Sequence, residues 1–256
     1  MNLRQRNRLV AFVLFSGLML FVLLVGRSVV AQDWRTASRE PVGLAPPAAT
    51  TPEAVVQVYG ARTVGMRGLF GVHTWVAVKP EKAPVYTVYE VIGWRLRWSG
   101  SAVVIGQRAP DGRWFGAEPE LYADLRGPQA EKLIPRIDAA ARAYPHAREY
   151  TAWPGPNSNT FVAWITRAVP ELAVDLPPTA IGKDYLTDTV VGTAPSGRGL
   201  QFSIAGLFAL TASAVEGLEL NLLGLTFGLN PFDPALKLPM LGRLGPARVA
   251  PHESAD

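Results

Sequence analysis

The segment at residues 153–161 (WPGPNSNTF) combines residue types that can support nucleophilic catalysis. Ser158 stands between Asn157 and Asn159, at the expected start of a helix. The first N–H groups of a helix lack partners and carry the positive end of its dipole, so they stabilise a developing oxyanion. They are equally well suited to an ordinary N-cap by Asn157 or Ser158. The segment therefore predicts either a serine nucleophile or a structural helix cap, with Trp153, Asn157 and Asn159 beside it as binding residues.

His73 is the second candidate for chemistry. It lies within a predicted strand at residues 71–78 (GVHTWVAV), where alternation of side chains places His73 and Trp75 on one face and makes Trp75 a candidate binding residue. Glu90 lies on the next predicted strand, and a carboxylate there needs a partner. An imidazole on the neighbouring strand would supply one, and so would a nearby arginine. A lone strand histidine is also a common structural residue.

The composition excludes several kinds of site. The 256 residues contain no cysteine and three histidines, so we expect no thiolate chemistry, no metal site and no cofactor. The net charge of +4 comes from four arginines among residues 1–31, and the remainder is neutral. A neutral remainder argues against nucleic acid as a partner.

Residues 9–26 form an apolar run between Arg8 and Arg27. Eighteen helical residues span about 27 Å, close to the hydrocarbon thickness of a bilayer. The arginines before the run favour an N-terminus in the cytoplasm, with membrane lipid as a partner. A cleaved signal peptide ending near residues 29–31 (VVA) is the alternative, and both interpretations export residues 32–256. In a bacterium this predicts a single-pass inner-membrane protein with its bulk in the periplasm.

The exported part is predicted to have an α+β fold. After a proline-rich linker at residues 32–53, strands are predicted at residues 54–64, 69–79, 85–94 and 102–106. Helices are predicted at residues 128–144, where Pro135 is awkward, and from residue 157 or 158 to Pro170. Strands followed by helices, rather than strict alternation, are typical of α+β folds. We assign residues 54–198 to this domain.

The last third contains an internal repeat. Residues 199–207 (GLQFSIAGL) and 217–225 (GLELNLLGL) match at a spacing of 18, and their alternation predicts the two strands of a hairpin. A second membrane helix is the alternative, but Glu216, Glu219 and the glycines disfavour it. We expect residues 199–249 to form this hairpin and an irregular, proline-marked tail, and residues 250–256 to be disordered.

Two further groups of residues are candidates for binding. Lys183 and Tyr185 belong to a polar cluster that would line a pocket or form a surface ion pair. Trp98, Trp114 and Trp153 lie in predicted loops and would form an aromatic rim for a sugar, a lipid or a peptide, or pack beneath the loops.

Four stretches carry a resemblance to a known family. Residues 73–78 (HTWVAV), 89–94 (YEVIGW), 153–161 (WPGPNSNTF) and 177–185 (PPTAIGKDY) resemble the bacterial domain-of-unknown-function family numbered 3750. The likeness covers nearly all of the exported part. It implies no activity.

A more distant resemblance implies a mechanism. Residues 157–161 (NSNTF) resemble the motif that opens a helix in permuted papain-fold hydrolases, with serine in place of the nucleophilic cysteine, and His73 matches their strand histidine. This implies a permuted papain-like antiparallel sheet with two main helices. In it, Ser158 attacks, His73 acts as general base, Glu90 orients the histidine, and N–H groups near Asn159 hold the oxyanion. We therefore expect an ester or amide hydrolase of an envelope lipid, peptide or acylated glycan, or a non-enzymatic binding or scaffold module with a degenerate site.

Overall fold

The computed structural model describes residues 35–246, together with Gln5, Arg6 and Phe12. Apart from those three residues, the predicted anchor or leader at 1–31 lies outside the described residues, and so does the tail at 250–256. Within the described part, none of the helices combines the length and the apolar character that crossing a bilayer requires. The fold is α+β, with two antiparallel sheets and few helices.

The first sheet has five strands in the order β4-β3-β2-β1-β5, all antiparallel. The four predicted strands are confirmed, and a fifth, β5, was missed because charged residues interrupt its apolar alternation. The strands are β1 (Val55–Arg62), β2 (Val72–Lys79), β3 (Thr87–Val91), β4 (Val103–Gln107) and β5 (Glu120–Arg126).

Two long helices cover one face of this sheet. They are α2 (Gly127–Arg142) and α3 (Ser158–Ala168), which follow a single turn, α1 (Leu96–Ser99). Both predicted helices are confirmed. Leu133 and Ile137 of α2 and Phe161 and Ile165 of α3 are buried in the core beneath the sheet. Pro135 lies within α2 on its exposed side.

The opposite face of the first sheet carries a second core. Tyr59, Trp75 and Val88 are buried there, and residues of the N-terminal segment pack against them. The Asp111 carboxylate accepts the N–H groups of Leu44 and Ala45, at 2.7 and 3.2 Å, and holds that segment down. Within the described residues, the predicted linker is therefore a docked part of the domain. Burial on both faces explains why β2 is buried along its whole length.

The second sheet is a seven-stranded meander, with each strand hydrogen-bonded to the next in the chain. Its strands are β6 (Val191–Gly192), β7 (Leu200–Ile204), β8 (Phe208–Ser213), β9 (Gly217–Leu222), β10 (Leu225–Asn230), β11 (Ala235–Leu238) and β12 (Gly242–Leu244).

The repeat copies are strands, as predicted, but the predicted hairpin between them is wrong. β7 and β9 each pair with β8, which lies between them. A spacing of 18 residues leaves room for a third strand and two turns between the two copies. The predicted irregular tail is also wrong. Pro231, Pro234 and Pro239 occupy turns and leave β11 and β12 free to pair.

Candidate functional site

A histidine–carboxylate pair joins β2 and β3. His73 Nε2 lies 3.0 Å from Glu90 Oε2, and both side chains are buried. Arg108 donates from Nε to the other carboxylate oxygen at 3.3 Å. The predicted partnership of His73 and Glu90 is therefore present, with an arginine as a second partner that the sequence analysis did not name.

Stacking holds the His73 ring in place, and burial determines its protonation state. The ring lies flat on Trp114, with the centroids 3.7 Å apart. Burial lowers the pKa of His73, although the Glu90 carboxylate opposes the shift. Burial raises the pKa of Glu90, but its bonds to His73 and Arg108 outweigh that effect and leave the pKa lowered. At neutral pH the pair is a neutral imidazole and a carboxylate. The proton of the imidazole is therefore on Nε2, which donates a hydrogen bond to Glu90.

Asn157, one of the two cap candidates that the sequence offers, caps α3. Its side-chain oxygen accepts the N–H groups of Asn159 and Thr160, and Thr160 Oγ1 accepts the N–H of Asn157 in return. This capping box satisfies two of the N–H groups that a helix leaves unpaired at its start. Ser158 is therefore the first helical residue and not the cap.

Asn159 ties the start of α3 to β2. Its Nδ2 donates to the carbonyls of Val72 at 3.0 Å and Ile181 at 2.7 Å, and its Oδ1 accepts a hydrogen bond from Thr74 at 2.9 Å. Val72 and Thr74 are the strand neighbours of His73. The amide of Asn159 therefore fixes Ser158 close to the strand that carries the histidine, and its polar groups are used within the protein.

Ser158 and His73 open on one cavity of about 920 Å³. This volume lies within the range of small-molecule sites. Among the described residues, no hydrogen bond joins Ser158 Oγ to His73, and His73 Nδ1 makes none to any other group. Nδ1 is therefore the ring nitrogen without a partner among the described residues.

The predicted oxyanion donors need a correction. The Asn159 N–H is engaged by the Asn157 cap, at 2.9 Å, and the Thr160 N–H is engaged by the same oxygen. The backbone N–H of Ser158 itself makes no hydrogen bond to any described residue. Of the amides at residues 158–160, that of Ser158 is thus the one without a partner among the described residues.

The cavity wall is largely aromatic and basic. The three tryptophans of the predicted rim, Trp98, Trp114 and Trp153, all line it, and Trp94 joins them. Among the described residues that line it, three are arginines, at 39, 67 and 97, and none is Asp or Glu. Sequence alone missed this asymmetry because the arginines come from three separate segments of the chain.

Three predicted binding residues lie elsewhere. Trp75 is fully buried and donates from Nε1 to the Pro110 carbonyl at 2.7 Å, on the other side of the sheet from α3. Lys183 is 1% exposed and bonded to Glu219, so the surface ion pair considered for it is wrong. Tyr185 packs against the ring of His146, with the centroids 5.5 Å apart. None of the three lines the cavity.

Replacing Asn157 with alanine is expected to destabilise the protein by about 0.5–2 kcal/mol, the range measured for lost helix caps. The cost arises because the N–H groups of Asn159 and Thr160 lose their acceptor. Chemical denaturation followed by tryptophan fluorescence measures it. Asn157→Asp keeps the acceptor oxygens and should be less destabilising than Asn157→Ala. Equal stabilities of Asn157→Ala and the parent would contradict a role for this cap.

A family model, described as "Protein of unknown function (DUF3750)", matches residues 53–185. The match covers just over half of the chain and includes the first sheet, both long helices and the residues His73, Glu90 and Ser158. No curated protein and no solved structure matches the chain significantly. The chain therefore belongs to the DUF3750 family of proteins of unknown function.

Proposed function

We propose that this protein is a membrane-anchored, exported serine hydrolase with a permuted papain-like arrangement, acting on an ester or amide of an envelope component. The observation that carries the proposal is that Ser158, at the N-terminus of α3, and His73, which is bonded to Glu90, line the same cavity. A nucleophile, a base and a group that orients the base are the parts that acyl transfer requires.

The proposed reaction begins when Ser158 Oγ attacks the substrate carbonyl. Its proton passes to His73 Nδ1, and the imidazolium that forms is stabilised through Nε2–H by the Glu90 carboxylate, 3.0 Å away. His73 then returns the proton to the departing alcohol or amine, which leaves an acyl group on Ser158. A water molecule, deprotonated by His73, attacks the acyl-enzyme and releases the acid.

The start of α3 supports the negative charge of the tetrahedral intermediates. The Ser158 N–H has no hydrogen-bond partner within the described part of the chain, and the dipole of the 11-residue helix adds positive potential at the same point. A single donor of this kind is worth about 10²- to 10³-fold in kcat. The two asparagines hold the donor in place, since both of their side chains are fixed by hydrogen bonds.

The cavity wall favours an acyl substrate with an anionic group. Several aromatic side chains line the cavity, which suits an apolar chain, and Arg39, Arg67 and Arg97 supply positive charge, with no Asp or Glu among the described lining residues. We therefore favour an acylated, anionic envelope lipid over a peptide or a neutral glycan.

Labelling of the full chain in membranes by a fluorophosphonate tests the proposal. This reagent phosphonylates a serine only when a base activates it. We expect one adduct per chain, mapped to Ser158 by mass spectrometry, and its loss in His73→Ala. An unlabelled parent, or an adduct on another serine, would refute the proposal.

A non-enzymatic binding module is the second candidate function. The observation that favours it is the missing hydrogen bond between Ser158 and His73. Such bonds are often loose in ligand-free sites and tighten with substrate. The labelling experiment separates the two candidates, because a binding module leaves Ser158 unreactive.

Glu90→Gln is expected to lower ester turnover by about 10²- to 10⁴-fold, since an amide stabilises the His73 imidazolium less well than a carboxylate. A second effect concerns pH. Burial lowers the pKa of His73 and the Glu90 charge raises it, so removal of that charge lowers the pKa further. The base is active when neutral. The acid limb of kcat/KM therefore lies below pH 6.5, the ordinary histidine value, in the parent, and moves to lower pH in Glu90→Gln.

Glu149→Gln is the matched control for Glu90→Gln. Glu149 Oε1 lies 3.3 Å from Nδ1 of His146, another buried histidine, and neither residue lines the cavity. Both the rate and the pH profile should match those of the parent. A Glu90→Gln profile that keeps the parent's rate and acid limb would show that Glu90 does not orient His73.

A further inference from the structure

In the second sheet the polar side chains lie on the buried face and the apolar side chains lie on the exposed face. The face that it turns toward the rest of the protein is built from polar side chains, and these are buried. They are Gln201, Ser203, Thr211, Glu219, Asn221, Thr226 and Lys237. The opposite face turns to solvent and is built from apolar side chains. They are Val191, Leu200, Phe202, Ile204, Phe208, Leu210, Ala212, Leu218, Leu220, Leu222, Leu225, Phe227, Leu229, Leu236, Leu238 and Leu244.

Side chains of the polar inner face form hydrogen bonds and ion pairs with other groups of the protein. Gln201 bonds to Asp184 and accepts from Arg167, and Asn221 also bonds to Asp184. Glu219 lies between two buried lysines. The inversion is therefore a property of the docked sheet, since its hydrophilic side is bound to the first domain by specific hydrogen bonds and ion pairs.

The apolar outer face, by contrast, is organised but uncovered. In the strand register, Phe202 faces Leu210, Leu210 faces Leu220, and Leu220 faces Phe227, so one apolar ladder crosses four strands. Leu218 is 61% exposed and Leu200 is 70% exposed. None of the side chains on this face carries a charge. Monomeric soluble proteins rarely expose so large a continuous apolar surface without using it.

We propose that this outer face docks on the surface of a lipid bilayer. The proposal does not depend on hydrolysis at Ser158, but it uses the proposed N-terminal anchor. Eight residues, 27–34, separate the apolar run from the described domain. A fully extended chain of that length reaches at most about 29 Å. The anchor therefore keeps the domain within the reach of one bilayer surface.

The chemistry of the face favours a bilayer over a second copy of the chain. Its side chains are apolar and offer no hydrogen-bonding group, whereas a typical protein–protein interface carries about ten direct hydrogen bonds. A bilayer needs no complementary shape and covers the whole face.

The surroundings of the face are those of a membrane-interface protein. Leu223, in the β9–β10 turn, is 64% exposed and also lines the cavity, so the apolar face runs directly into the cavity mouth. Trp98 and Trp153 lie exposed on the same cavity wall, as do the arginines described above. Tryptophan is suited to the interfacial layer, and arginine is attracted to anionic headgroups. Docking would thus present the cavity to lipid.

The absence of cysteine allows a direct test with single-cysteine variants. Leu218→Cys and Leu236→Cys place a thiol on the outer face, and Lys82→Cys places one in the exposed turn between β2 and β3. Each full chain is labelled with an environment-sensitive fluorophore and reconstituted in vesicles of phosphatidylcholine and phosphatidylglycerol, with and without lipids brominated on their acyl chains. We expect brominated lipid to quench the two face labels at least twofold and to leave the Lys82→Cys label unchanged.

Two outcomes would overturn the proposal. Chains that float with the vesicles but show no quenching at positions 218 and 236 would be anchored without docking. Pyrene labels at position 218 that form excimers, without quenching by brominated lipid, would show that a second copy covers the face. Repeating the assay with Ser158→Ala should leave the quenching unchanged, which separates docking from hydrolysis.

Discussion

Ser158→Ala is expected to abolish labelling by fluorophosphonate and to lower ester turnover by about 10³-fold or more, as removal of a catalytic serine does in other hydrolases. The expectation rests on the position of Ser158. It is the first residue of α3, its N–H has no hydrogen-bond partner among the described residues, and it lines the same cavity as His73. The fold should be unaffected, since the cap is Asn157 and Ser158 donates no side-chain hydrogen bond among the described residues.

Ser158→Cys provides the matched test of the papain-like arrangement. It introduces the only thiol of the chain, so alkylation by iodoacetamide reports on that position alone. An adjacent imidazole and the start of a helix lower the pKa of a thiol, and alkylation should then persist well below pH 8. His73→Ala in the Ser158→Cys background should restore an ordinary thiol profile. Identical profiles with and without His73 would show that the two side chains do not act together.

Glu219→Gln is expected to destabilise the protein by about 3–5 kcal/mol, the cost of breaking a buried ion pair from one side. Its carboxylate contacts Lys183 and lies 2.7 Å from Lys237 Nζ, which in turn lies 2.5 Å from Asp175. Burial favours the neutral form of Glu219, but the two ammonium groups outweigh it and lower the pKa. Burial likewise opposes the charge on Lys183, while Glu219 raises the pKa of that lysine. Glutamine leaves both lysines buried with one anionic partner fewer.

Chemical denaturation in mild detergent, followed by tryptophan fluorescence, measures this loss. Glu81→Gln is the control, because Glu81 pairs with the exposed Lys82, and such surface pairs are worth about 1 kcal/mol or less. Both substitutions remove one carboxylate, so a difference between them reports burial. Equal stabilities of Glu219→Gln and Glu81→Gln would show that the buried cluster does not hold the second sheet in place.

Local patterns predicted the elements around the site. The Val- and Tyr-rich runs of β1, β2 and β3 are confirmed as strands, since β-branched and aromatic side chains suit a pleated surface. The predicted cap at Asn157 or Ser158 is confirmed, and the structure selects Asn157. A short polar side chain ahead of an apolar period is a local signal. β5 was missed since Glu120, Asp124 and Arg126 interrupt its alternation, and these side chains lie partly exposed or pair with one another.

The second sheet shows where local patterns fail. Alternation in β7 and β9 correctly predicts strands, but it does not say which of the two alternating faces is buried. Gln201 and Glu219 are inside and Leu200 and Leu218 outside, against the usual preference. The partners of the buried side chains, Asp184 and Lys183, come from a distant loop, so the preference could be reversed only by long-range contacts.

The sequence by itself predicted four of the five strands of the first sheet, both long helices, a cap of α3 by Asn157 or Ser158, the alternation of the later strands and the apolar N-terminal run, because each depends on residues within one or two turns or strands. Tertiary structure decided that Glu90 meets His73, that Ser158 shares their cavity, that residues 35–53 are docked, and that Lys183 is buried. Each of these joins residues far apart in the chain. Hydrogen-bond register and burial, which are properties of the packed molecule, select such contacts, and local propensity carries no information about them.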